Sequence, residues 1–171
     1  MAELLCIKIV STFGNVARNV IFKMKIRELE ETDLKDLIPL YKYLHENDTE
    51  ISREKAHSVW GEVKQNNNLF YFGGFHENLL VSSCCMAVIP NLTRGGLPYA
   101  LIENVVTHLN YRNKGYGSSV LRYTLAKAWS MGCYKVMLLS GRKDPAVHRF
   151  YEQVGFNSND KTAFVIKCPH V

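Results

Sequence analysis

Residues 102–121 read as a strand, a tight basic turn and a helix, and this stretch constrains the chain more than any other. Ile102-Glu103-Asn104-Val105-Val106-Thr107-His108 is largely apolar and β-branched, as a strand inside a sheet needs to be. Tyr111-Arg112-Asn113-Lys114-Gly115-Tyr116-Gly117 follows, and a helical pattern continues from it without a break. Two glycines one residue apart let the backbone bend sharply and its N–H groups converge. Those amides open a helix, where unpaired donors and the helix dipole favour an anion. Arg112 and Lys114 add positive charge at the same place. The segment therefore predicts a site that holds a phosphate-bearing ligand against the end of a strand.

Two familiar phosphate loops are excluded. No Gly-Lys-Ser/Thr stands at the spacing of a nucleotide-triphosphate loop, and Val120 occupies the place of the third glycine in a dinucleotide fingerprint. What remains is Arg112-x-x-Gly115-x-Gly117 after a buried strand. A second landmark lies downstream, in Asp144-Pro145-Ala146-Val147-His148-Arg149-Phe150-Tyr151-Glu152-Gln153-Val154-Gly155-Phe156. There a capping residue opens a short helix that closes on an aromatic pair and then Gly-Phe.

With 171 residues the chain suits one domain, and 47% hydrophobic with 22% charged residues fits an ordinary globule. The net charge of +5 comes without a dense Lys/Arg run, so it suits an anionic cofactor better than nucleic acid. Five cysteines (Cys6, Cys84, Cys85, Cys133 and Cys168) include no Cys-x-x-Cys pair. They predict reduced packing residues in a cytoplasmic protein, with neither a disulfide frame nor a metal site. Cys84 and Cys85 should point to opposite faces of one strand. No apolar run is long enough to span a membrane, and the first residues do not form a convincing signal peptide.

Residues 1–23 stand apart as an N-terminal extension with a possible extra strand over 4–10; residues 24–171 form a single domain. Strands are predicted at 25–29, 69–75, 79–89, 99–108, 134–139 and 162–166. Thr32 reads as an N-cap, followed by a stripe of Leu34, Leu37, Ile38, Tyr41 and Leu44. Ala56, Val59, Trp60 and Val63 mark a second helix. Gly132 is a plausible helix stop, and Pro145 suits a first helical position behind Asp144.

The two landmarks, in this order and with one helix and one strand between them, resemble the GNAT superfamily of N-acetyltransferases. The resemblance covers residues 24–171, and its specific part is 103–156. It implies an α/β (α+β) fold with a mixed central sheet whose two central parallel strands splay apart, flanked by helices. It also implies acetyl-CoA as cosubstrate and no metal. Val105, Val106 and Thr107 would pair with the pantetheine arm. Arg112, Asn113, Lys114, Gly115, Tyr116, Gly117 and Ser118 would surround the diphosphate, with side chains excluded at the glycines so that the backbone can approach. Asp144 stands where the family commonly has Asn near the cofactor.

Acetyl transfer to an amine needs a proton acceptor, donors for the oxyanion and an acid for the departing thiolate. Glu103 is the candidate base, direct or through water; it lies in an apolar strand where partial burial would raise its pKa. A backbone N–H of Val105 or Val106 would serve the oxyanion. Tyr151 matches the family tyrosine that reaches the CoA sulfur. His108 ends the strand too far along to reach the amine, and His148 reads as a helix-face residue. The acceptor is expected to be a primary amine of a small molecule or peptide, contacted from residues 45–50 and 93–96. A homodimer is the family expectation. Ile102-Glu103-Asn104-Val105-Val106, the Tyr111-Arg112-x-Lys114-Gly115 loop and Gly132-Cys133-Tyr134-Lys135 further resemble glucosamine-6-phosphate N-acetyltransferases, although those usually carry Asp at the position of Asn104 and this chain has extra residues between Leu139 and Phe150, including Gly141-Arg142-Lys143. A non-catalytic acyl-CoA sensor is the alternative of a different class.

Overall fold

The computed structural model describes residues 24–44 and 47–169. The expected extra strand over 4–10 lies outside the described residues. Five strands form one sheet in the order β1 (Met24–Glu28), β2 (Leu69–His76), β3 (Leu79–Ile89), β4 (Tyr99–Thr107), β5 (Val136–Leu138). The first four are antiparallel neighbours, and β5 runs parallel to β4. That parallel step needs a crossover, supplied by α3 (Tyr116–Ser130). The other helices are α1 (Leu34–Tyr41), α2 (Arg53–Gln65) and α4 (Pro145–Val154).

Alternation along the strands divides the core into two layers. Phe72, Cys84, Met86 and Ile102 pack with Val120 and Leu121 of α3, and residues of α4 close over the same cluster. On the other face Phe75, Leu80 and Val106 meet Leu34, Leu37 and Leu40 of α1 and Trp60 and Val63 of α2. Burying one such side chain fully contributes about 1.5–3 kcal/mol. Cys84 and Cys85 do fall on opposite faces: Cys84 bonds Thr124 of α3 at 3.2 Å, whereas Cys85 bonds the β4 backbone.

Two expectations are corrected. Thr32 is not the N-cap of the first helix. A 3-10 turn, Glu31–Asp33, precedes α1, and Glu30 and Asp33 cap one another across it. Asp33 is the better organiser because it also takes both ends of the Arg27 guanidinium, at 2.6 and 2.8 Å. The second correction concerns 162–166, which is irregular rather than a strand. Phe164, Val165 and Ile166 are 91, 76 and 98% exposed. β-propensity expresses fit to a half-buried pleated surface, and no strand among the described residues offers that surface here.

Candidate active site

The site begins where β4 and β5 part. Their pairing runs from Ala100↔Val136 to Ile102↔Leu138 and stops, while β4 continues to Thr107 against β3. Residues 103–107 therefore have no strand partner on the β5 side among the described residues. Within the same stretch the β3–β4 register shifts between Ser83 and Cys85. Ser83 faces Val106 and Cys85 faces Glu103, so Asn104 and Val105 together oppose Cys84 in a bulge. Asn104 takes the left-handed conformation there, with φ 54°. Asn tolerates that conformation better than any β-branched residue of the strand would. Bulges re-aim the side chains beside them, and this one directly follows Glu103 and includes Val105, one of the two candidate oxyanion donors.

Glu103 lies in a cross-sheet row with Tyr71 and Cys85. The structure corrects the premise of its burial: Glu103 is exposed, one residue past the end of the β4–β5 pairing. Its backbone carbonyl accepts the Cys85 thiol at 3.4 Å. Burial, reinforced by the nearby Glu103 charge, pushes the Cys85 thiol up to about 11. The same face buries the phenols behind it, and Tyr71 is pushed up to about 12 by burial and then by Cys85.

Tyr151 approaches from α4. Phe150 and Phe156 flank its ring, with centroids at 5.0 and 6.2 Å. Burial raises its phenol above the ordinary range, Arg142 opposes this, and the charge of Glu103 adds to the rise. Glu103 and Tyr151 thus lie within electrostatic reach of one another. Val105 packs toward the α3–α4 layer and Val106 is buried in the α1–α2 layer. Thr107 bonds Ser82 through its hydroxyl at 2.9 Å.

Beyond β4, Asn113 and Gly115 are both left-handed, at φ 58° and 86°. Gly115 is the N-cap of α3 and offers no side-chain cap. The amides of Tyr116, Gly117 and Ser118 have no carbonyl of the helix four residues back, which leaves them available to an anion. The Ser118 hydroxyl turns inward to the Gly115 carbonyl at 3.0 Å. Arg112 folds back, its Nε donating to the Thr107 carbonyl at 3.1 Å, and the Lys114 ammonium lies 5.4 Å above the Tyr111 ring. Gly117 has a reason that spacing did not reveal. A Cβ there would stand 2.9 Å from Thr107 Oγ1 and 3.2 Å from Phe150 Cζ, so it is a packing requirement where α3 crosses β4 and α4.

Asp144 caps α4 by accepting the Ala146 amide at 2.8 Å. His148 engages the Arg142 carbonyl at 3.0 Å. His108 lies against Tyr43 and Asn110 rather than in the opening. Of the segments expected to meet the acceptor, residues 45–46 lie outside the described residues, and Glu50 is bound by Lys42 at 2.6 Å. The turn Arg94–Gly96 precedes Tyr99, at the end of β4 away from His108. Sequence reading missed the bulge; its one signal was an αL-tolerant Asn in the middle of an apolar strand.

No group of three or more His, Cys, Asp or Glu side chains among the described residues could hold a metal ion. No described helix is long and apolar enough to cross a membrane. Cavities of about 160 and 240 Å³ lie elsewhere, the first beside Trp60 and Glu28 and the second beside Asp33 and Lys35, and neither is lined by Glu103 or Tyr151.

The model of the acetyltransferase (GNAT) family matches residues 26–156. A glucosamine 6-phosphate N-acetyltransferase of Trypanosoma brucei brucei is 29% identical over 143 residues, which is 82% of this chain and 94% of that protein. A solved structure from Agrobacterium tumefaciens str. C58, carrying an acetyltransferase assignment, superposes with a TM-score of 0.81 at 41% identity, covering 84% of this chain and 99% of that one. The glucosamine-6-phosphate N-acetyltransferase of Arabidopsis thaliana shares the fold, with a TM-score of 0.75 at 23% identity over 85% of this chain and 97% of that one. With the splayed strands, the glycine turn and the family match in agreement, the chain belongs to the GNAT acetyltransferase family and is an acyltransferase.

Proposed function

We propose that the chain moves the acetyl group of acetyl-CoA directly to a primary amine of a small molecule, with glucosamine 6-phosphate the first acceptor to test. The observation that supports this reading is the parting of β4 from β5 after Ile102, with Glu103 next along β4 and its charge within reach of the Tyr151 phenol. The acceptor follows from the trypanosomal relative, whose match extends over nearly all of its own length. In this reading the pantetheine arm takes the strand edge that β5 vacates, at Val105, Val106 and Thr107. The diphosphate sits on the amides of residues 113–118.

In this reading the reaction draws on the same residues. Glu103 accepts the proton of the incoming amine, directly or through water; being exposed, it is accessible to the acceptor. The amine nitrogen attacks the thioester carbon, and a β4 amide at Val105 or Val106 stabilises the oxyanion. The carbon–sulfur bond breaks, leaving an amide product and CoA thiolate. Tyr151 faces that sulfur. Its raised pKa makes complete ionisation unfavourable, since an ordinary thiol sits near 8.5. Tyr151 therefore acts by sharing its proton with the departing sulfur in a hydrogen bond, and the thiol is completed as the amine's proton is relayed. Holding amine and thioester together supplies much of the rest, up to roughly 7–11 kcal/mol.

The test is free-thiol release from acetyl-CoA with glucosamine 6-phosphate and a panel of other primary amines. Amine-dependent release is expected. Acetyl-CoA binding without turnover of any amine would instead establish a sensor module. Release with peptide amines but not amino sugars would overturn the choice of acceptor.

A further inference from the structure

Around His108 lies a group of polar aromatic side chains that the transfer chemistry does not use. His108 follows the last residue of β4, and its own N–H donates to the Val81 carbonyl at 2.8 Å, which fixes it to β3. The ring has a defined tautomer. Nδ1 accepts the Asn110 N–H at 3.2 Å, so the ring proton belongs on Nε2. Nε2 stands 3.0 Å from the Tyr43 hydroxyl oxygen and donates to it. Tyr43 belongs to the turn that follows α1, close to the connection toward α2.

The contacts continue to the other side. The His108 ring meets Tyr111 at 5.5 Å, and Tyr111 meets Tyr116 at 5.7 Å and His76 at 5.2 Å. His76 Nδ1 bonds the Tyr116 hydroxyl at 2.6 Å. Tyr116 is the first residue of α3 and only 2% exposed. Its amide is one of those left open to an anion. An unbroken series of rings and hydrogen bonds thus runs from the turn after α1 to the start of α3.

We propose that His108, as its Nε2–H tautomer, is a positioning residue that ties the turn after α1 to the anion-holding loop. Tyr43 is its anchor on the far element, and Tyr111 and Tyr116 carry the constraint into the loop. This rests on the reading of residues 113–118 as the diphosphate site. A change at Tyr43, which belongs to a different element, should therefore be felt by the diphosphate.

The experiment uses Tyr43→Phe, His108→Asn and the double variant of the full chain. Tyr43→Phe removes one oxygen atom. Asn at 108 can still accept the Asn110 amide but is too short to reach Tyr43. Acetyl-CoA affinity by calorimetry is expected to fall about threefold or more in each single variant, with the double variant no weaker than the weaker single, as for two partners in one contact. The backbone amide resonances of residues 113–118 should shift in all three variants with no ligand added. Unchanged affinity and unchanged loop resonances in Tyr43→Phe would overturn the proposal, as would effects that multiply in the double variant. If His108→Asn fails to fold, Tyr43→Phe decides alone. If the wild type binds no acetyl-CoA, the diphosphate reading fails, and the loop resonances still decide whether the tie exists.

Discussion

Gly117→Ala tests the construction of the site where its geometry is tightest. The new Cβ would lie 2.9 Å from Thr107 Oγ1 and 3.2 Å from Phe150 Cζ, against an ordinary contact of about 3.4–4 Å. Thr107 cannot simply rotate away, because its hydroxyl bonds Ser82, which in turn donates to the Val106 carbonyl at 2.9 Å. Overpacking of this kind costs about 1–3 kcal/mol. A strained or lost hydrogen bond adds about 0.5–1.5 kcal/mol. Replacing glycine in a helix returns roughly 0.5–1 kcal/mol. The net loss should be about 0.5–4 kcal/mol, centred near about 2 kcal/mol, which at the centre is a fall in Tm of roughly 4–8 °C for a domain of this size. The start of α3 must move with the added atom, and its open amides move too. Acetyl-CoA affinity should therefore weaken alongside stability, and Thr107→Ala in the same background should recover part of the lost Tm. Differential scanning calorimetry and a calorimetric titration measure both quantities. A variant as stable as the wild type, binding acetyl-CoA equally well, would refute the packing argument and move the diphosphate elsewhere.

Three further outcomes are expected. Tyr151→Phe should lower kcat by about tenfold to a hundredfold, below the full range of general-acid effects, with little change in acetyl-CoA affinity; steady-state kinetics with an unaltered kcat would remove Tyr151 from the chemistry. Asp144→Ala removes the cap bond to the Ala146 amide and should cost about 0.5–2 kcal/mol in urea unfolding, whereas Asp144→Asn should cost far less. The third concerns alkaline pH: the Tyr151 phenol is raised by burial, so the folded state keeps a proton that the unfolded chain loses near about pH 10. Its contribution is complete below that pH and disappears as pH rises through the folded value. Melting temperature should fall with pH above about 9, and the fall should be shallower in Tyr151→Phe; parallel curves would show that the phenol ionises alike in both states.

Much of the site was legible because its elements are local. The αL glycines at 115, 132 and 155, the Asp144-Pro145 helix start and the alternation around Cys84 and Cys85 are each decided within a few residues by backbone sterics or pleat geometry. The turn at Glu77 and Asn78 that joins β2 to β3 is local in the same way, with Glu77 left-handed at φ 56°. The stretch 162–166 misled because its apolar β-branched residues signal a strand only if another strand stands beside them. Thr32 misled because a carboxylate at Asp33, already gripped by Arg27 from β1, outcompeted it.

The sequence by itself determined the order of strands and helices from β1 to α4, the glycine turn at the head of α3 and the family to which these belong, since propensity, periodicity and left-handed positions are properties of neighbouring residues. Only the tertiary structure decided that Glu103 is exposed, that Asn104 bulges, that Gly117 is hemmed in by Thr107 and Phe150, and that His108 reaches Tyr43. Those facts depend on which surfaces meet across the sheet, and residues 65 positions apart, as Tyr43 and His108 are, carry no mark of that meeting in their local sequence.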